Sequence, residues 1–140
     1  MIKKVILCVD DEETVLRSLK RELNDALSGE YLIETAEGGE EALEVFDELL
    51  ADQYEIPLII SDHIMRGMKG DEFLHRIHTI APKILKIMLT GQADMEAVTN
   101  AVNYASLYRY IAKPWEKPDL ILTVKDALNK YFQDKKLEEQ

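Results

Sequence analysis

Four short apolar runs in this sequence each end in residues suited to chemistry. Val5 to Val9 is followed at once by Asp10, Asp11, Glu12 and Glu13. The run ending at Ser61 is followed by Asp62, the next by Thr90 and Gly91, and the last by Lys113 and Pro114. If the first two run ends lie side by side, three carboxylates converge on one small volume, flanked by Thr90 and Lys113. Two such charges ~4 Å apart repel by about 4 kcal/mol at an effective dielectric of ~20. A hard divalent cation offsets that repulsion, and an oxygen-only donor set selects magnesium, calcium or manganese. Magnesium takes only one or two carboxylates and fills its shell with waters and phosphate oxygens. One aspartate is then left free, and an ionised aspartate is a nucleophile able to form an acyl phosphate. A metal and a lysine neutralise charge in such a transfer, and a threonine hydroxyl can donate to a phosphoryl oxygen. Asp10, Asp11, Asp62, Thr90 and Lys113 supply those parts.

The elements that must position them alternate along the chain. Residues 3–9, 31–36, 58–61, 84–89 and 107–112 are short, apolar and β-branched, and read as strands. Three of them are continuously apolar, as suits strands covered on both faces of a parallel sheet. Between and after them run stripes of helical period. Val15, Leu16, Leu19, Leu23, Ala26 and Leu27 form the first, and Ala42, Val45, Phe46, Leu49 and Leu50 the second. Phe73, Leu74, Ile77 and Ile80 form the third, and Met95, Val98, Ala101 and Val102 a weaker fourth. Leu120, Ile121, Val124, Ala127, Leu128 and Tyr131 form the last. Five β-then-α units in a row imply right-handed crossovers and a three-layer αβα sandwich. In such sheets sites form beyond the carboxyl ends of the strands, where the five chemical residues stand. Residues 1–130 read as one domain and residues 131–140 as a charged helical tail, frayed or leading into a linker.

Composition removes other classes. The 140 residues suffice for one domain with its own core. Acids outnumber bases 27 to 17, a formal charge of -10 that repels phosphate backbones and anionic membranes. A single cysteine, Cys8, excludes an internal disulfide and a cysteine-based zinc framework. It favours a cytoplasmic location. The longest uncharged stretch, residues 97–108, contains Thr99, Asn100 and Asn103, so no segment reads as a membrane span. The apolar run after Lys3 and Lys4 is too short for a signal peptide. No G-x-G-x-x-G or Walker lysine marks a nucleotide site.

The chain resembles the receiver domain of two-component response regulators. The resemblance rests on Ile6-Leu7-Cys8-Val9-Asp10-Asp11-Glu12, Ile60-Ser61-Asp62-His63-Ile64-Met65, Gly67-Met68-Lys69-Gly70, Leu89-Thr90-Gly91 and Tyr110-Ile111-Ala112-Lys113-Pro114-Trp115. These stretches fall in order at the strand ends and cover nearly the whole chain. The resemblance implies a flavodoxin-like sheet of order 2-1-3-4-5 with five helices. It implies that Asp62 accepts a phosphoryl group from the phosphohistidine of a sensor histidine kinase or histidine phosphotransfer protein. Asp11 and Asp62 would bind Mg2+ or Mn2+, with Asp10 acting mostly through water and the backbone carbonyl of Ile64 completing the protein ligands. Lys113 would pair with the phosphoryl group, Thr90 would move toward it, and Tyr110 would swing inward. The output surface would be the fourth helix, fifth strand and fifth helix. It would serve a separate output protein, a fused output domain or a homodimer, with no direct contact to nucleic acid or membrane.

Two positions depart from the family pattern. Arg66 stands where proline often follows the methionine of the acceptor loop, giving that loop mobility or a partner-specific charge. Ile64 replaces a polar side chain that orients water, so the acyl phosphate is expected to hydrolyse slowly unless Gln92 supplies a polar group. Two other functions compete. A magnesium-dependent phosphohydrolase of the haloacid dehalogenase kind uses the same parts. It wants its nucleophile after the first strand in a D-x-D pattern, and little sequence is left here for a cap. A docking or dimerisation module that never gains phosphate would lack the acceptor, the lysine or the acidic pair, and all are present. His75 and His78 read as a solvated helix face, His63 as a loop residue, and Trp115 with Tyr108 as a partner surface or a cover over the sheet edge.

Overall fold

The apolar runs and amphipathic stretches resolve into ten elements in the computed structural model, which describes residues 3–91 and 95–139. In chain order they are β1 (Lys4–Val9), α1 (Glu13–Leu27), β2 (Leu32–Ala36), α2 (Gly39–Ala51) and β3 (Glu55–Asp62). Then follow α3 (Gly70–Ile80), β4 (Leu85–Thr90), α4 (Met95–Ala105), β5 (Arg109–Ala112) and α5 (Lys117–Glu138). The five strands form one parallel sheet in the order β2-β1-β3-β4-β5, as the resemblance implied.

Strand alternation divides the core in two. Val5, Leu7, Val9, Ile59 and Met88 face one side and pack on Phe46 of α2, Phe73 and Leu74 of α3 and Ala101 of α4. Ile6, Cys8, Leu58, Ile60, Ile87 and Leu89 face the other and pack on Leu19 and Leu23 of α1 and Leu120 and Val124 of α5. Each helix turns its apolar stripe to the sheet, which is what a 3.6-residue period achieves. The first helix stops at two left-handed residues, Ser28 (φ 52°) and Gly29 (φ 74°).

Strand bounds shift by one to three residues from the sequence reading, most at β3 and at β5, which begins at Arg109 rather than residue 107. Strand β3 begins at Glu55 rather than at residue 58, because Pro57 lies inside it. Proline cannot donate to a ladder, and the β1–β3 register shifts between Lys4 and Ile6 at that point. Helix α5 continues through the charged tail to Glu138. Glu55 anchors it there, accepting from Tyr131 Oη at 3.0 Å and from Lys135 Nζ at 2.7 Å. Among the described residues, no helix is long and apolar enough to cross a membrane.

Candidate functional site

Strand register assembles the site. Val9 is level with Ser61, so Asp10 and Asp62, one residue further on, emerge side by side. Thr90 is level with Ala112, so Lys113 follows directly beside it. The Lys113 N–H donates to the Thr90 carbonyl at 2.7 Å and locks the two strand ends together.

The lysine spans two carboxylates. Lys113 Nζ lies 2.7 Å from Asp10 Oδ2 and 3.2 Å from Asp62 Oδ1. Asp10 is fully buried and Asp62 only 4% exposed. The second Asp10 oxygen accepts the Glu12 N–H at 2.8 Å, which fixes the turn into α1. Asp11 is more open, and its Oδ2 accepts the Arg66 N–H at 3.2 Å. Burial, and next the charge of Asp10, push the Asp62 carboxyl above its ordinary range, with Lys113 partly opposing them. For Lys113, burial pulls down, but the hydrogen bond to Asp10 and the charges of Asp62 and Asp10 outweigh it and hold the ammonium above its usual value.

Asp10, Asp11 and Asp62 each offer an oxygen within 4.8 Å of the others. Three carboxylates against one half-buried lysine leave an excess of negative charge, and every donor is a hard oxygen. That set fits a divalent cation of the magnesium type.

The loop after Asp62 is held by backbone. The His63 N–H donates to the Leu89 carbonyl at 3.1 Å, and the Gly70 N–H donates to the His63 carbonyl at 2.9 Å. A side chain at Gly70 would overlap the Asp62 carbonyl oxygen and come within 2.7 Å of His63 Cα, so only glycine allows α3 to start so close. Thr90 is buried at its strand end. Tyr110 on the edge strand β5 is half exposed, and the Ile64 side chain is 56% exposed. Gln92 lies outside the described residues.

His63 is a loop residue as read from the sequence, and it is buried. Other sequence readings need correction. His78 is half-buried, with Nδ1 3.2 Å from Lys86 Nζ, so it belongs to an interior cluster rather than a solvated face. Trp115 and Tyr108 pack on the core on the α1–α5 side, and Trp115 Nε1 donates to Glu22 at 3.3 Å. They cover the sheet edge, because the short strand β5 leaves apolar surface there that they can bury. Lys86 carried no sequence signal at all. It sits in an apolar run, and only the fold shows that it is buried.

With this geometry established, the chain belongs to the response regulator receiver domain family, whose model matches residues 6–125. It is 33% identical over 123 residues to the hydrogenase transcriptional regulatory protein HoxA of Cupriavidus necator, covering 88% of this chain and 24% of that protein. The chain thus spans about a quarter of the length of the hydrogenase regulators it matches. It is 33% identical over 126 residues to the chemotaxis protein CheY of Halobacterium salinarum, covering 89% of this chain and 97% of that one. The solved signal receiver domain of an HD domain-containing protein from Pseudomonas fluorescens Pf-5 superposes with a TM-score of 0.82 at 30% identity, covering 97% of this chain and 94% of that one. Receiver domains are signalling modules of two-component systems rather than conventional enzymes.

Proposed function

We propose that this chain is a phosphorylation-controlled switch whose acceptor is Asp62. The donor is a phosphohistidine on a sensor histidine kinase or histidine phosphotransfer protein. One observation carries the reading: a single lysine braced between two buried carboxylates, with a third carboxylate beside them. An Asp62 oxygen attacks phosphorus, the phosphorus–nitrogen bond breaks, and the imidazole leaves and takes up a proton. Asp10, Asp11 and Asp62 with the Ile64 carbonyl would hold Mg2+, or Mn2+ in its place. When bound, the cation neutralises charge on the transferring group.

Lys113 already lies 3.2 Å from the attacking carboxylate, so it can follow the new phosphoryl oxygens with a small movement. Its backbone tie to Thr90 keeps that hydroxyl within the same strand-end cluster, as its role toward the phosphoryl group requires. Phosphorylation adds roughly -1.5 to -2 charges where carboxylates already crowd. That charge biases an existing two-state element rather than building a new one. Exposed Val102 and Tyr104 on α4, Tyr110 on β5 and Leu122 on α5 support the α4–β5–α5 face as the output surface, toward another protein, a fused domain or a second copy. Residues 1–130 form the receiver in this reading and residues 131–140 its tail, and the protein works in the cytoplasm.

The test is intact mass after incubation with acetyl phosphate and Mg2+. One phosphoryl group on the wild type, absent without Mg2+ and absent in Asp62→Asn, is the expected result. No phosphoryl group under any condition overturns the reading in favour of a docking module. Repeated turnover of small phosphate esters would favour a phosphohydrolase.

A further inference from the structure

Asp11 is the most open of the three clustered carboxylates, and one residue addresses it twice. The Arg66 N–H donates to Asp11 Oδ2 at 3.2 Å, and the Arg66 guanidinium Nε stands 3.8 Å from the same oxygen. The two contacts differ in kind. The amide is part of the loop between Asp62 and α3, which backbone bonds hold at His63 and Gly70. The guanidinium is 92% exposed and has no other ion-pair partner among the described residues. It is therefore a mobile cation parked at the edge of a cluster that carries excess negative charge.

We propose that Arg66 is a built-in competitor for the divalent cation: its guanidinium neutralises Asp11 in the metal-free protein and must leave, or be repelled, when a cation binds. The inference rests on the reading of Asp10, Asp11 and Asp62 as the cation site. A lysine at the same place would do the same work, an alanine would keep the amide contact and drop the charge, and a glutamate would invert the charge. Half-buried Lys113 does not play this part, because it pairs with Asp10 and Asp62 at once. An exposed pair of this kind is weak, and so is its effect. Removing the charge should tighten cation binding about threefold, which corresponds to ~0.7 kcal/mol. Salt should erase the difference, since screening lengths fall to ~3 Å at 1 M.

The experiment titrates Mn2+ into the full chain and follows loss of the free-ion electron paramagnetic resonance signal, with Mg2+ displacement as a second reading. Neither needs phosphorylation. Arg66→Ala should bind Mn2+ about threefold more tightly than wild type at low salt, Arg66→Glu more tightly still, and Arg66→Lys within about twofold of wild type. At high salt the four should converge. Because the side chain is exposed, all should fold alike, as checked by circular dichroism. Equal affinities across the series at low salt, or weaker binding by Arg66→Ala, overturn the inference while leaving the site intact. If no protein binds Mn2+, or Asp11→Asn binds as wild type does, the site reading itself falls and the inference with it.

Discussion

Lys86→Met should stabilise the protein at neutral pH and destabilise it in alkali. Lys86 lies in β4 and is 1% exposed. Its ammonium donates to the Ile84 carbonyl at 2.8 Å and to His78 Nδ1 at 3.2 Å, and no carboxylate pairs with it among the described residues. Burial pulls it from 10.5 down to about 8. At ~1.36 kcal/mol for each factor of ten, the folded state bears roughly 3 kcal/mol of cost at pH 7. That cost is present in full below about pH 8 and is lost as pH rises toward 10.5, because folded Lys86 has then released a proton that the unfolded chain still holds. Methionine removes the charge but also two hydrogen bonds, worth ~1 kcal/mol each. The variant should therefore gain about 1 kcal/mol at pH 7, with its melting point up by ~3 °C. The gain should vanish near pH ~9 and turn into a loss above it. Urea unfolding of both proteins at pH 7, 8, 9 and 9.5 measures the difference. Titrating groups away from Lys86 cancel in it, and His78, which burial and the Lys86 charge lower, stays neutral across this range. A difference that stays constant across this range refutes the reasoning, as does a variant less stable than wild type at pH 7.

The site yields further expectations. Lys113→Met leaves buried Asp10 and Asp62 facing each other, and breaking such a buried pairing costs about 2 kcal/mol or more at pH 7. Asp62 is already raised by burial and by Asp10, so the loss should shrink as acid protonates it and removes the repulsion. It should shrink again with Mg2+, and urea unfolding at pH 7 and 5 with and without Mg2+ reads both effects. Ile64→Asn should shorten the life of the phosphoprotein several-fold by offering a polar group to the attacking water, followed as loss of the phosphoryl mass with time. An equal or longer life would contradict the part assigned to Ile64.

How much of this was legible in the sequence depended on whether a residue's role is set along the strand or across the fold. Asp10, Asp62, Thr90 and Lys113 each follow an apolar run, and in a parallel sheet every run ends at the same edge, so their convergence was readable. The pairing of Val9 with Ser61 turned that readability into adjacency. The start of β3 was hidden because Pro57 imitates a strand boundary, when it marks a shift in register instead. The Arg66–Asp11 contact spans 55 residues and depends on loop geometry that no local pattern encodes. Lys86 and His78 were invisible as a pair for the same reason, since one lies in an apolar strand and the other on an apparently polar helix face.

Lys113, Lys86 and Arg66 differ in what surrounds them, and that difference sorts what each can do. Lys113 is half-buried against two carboxylates, so it stays charged and moves only within the reach of that pair. Lys86 is buried against a carbonyl and an imidazole, so it acts on stability and answers to pH. Arg66 is exposed against a single carboxylate, so it is the one that can leave. Under the proposed function, a site that accepts a dianion next to three carboxylates needs positive charge that arrives only when required. A second lysine buried in the cluster would offset more of the carboxylate charge and weaken the pull on a divalent cation. An exposed arginine gives the metal-free site partial relief and yields to the cation at small cost. In the proposed function, the acceptor would then meet its donor with the cation in place and without a standing excess of negative charge.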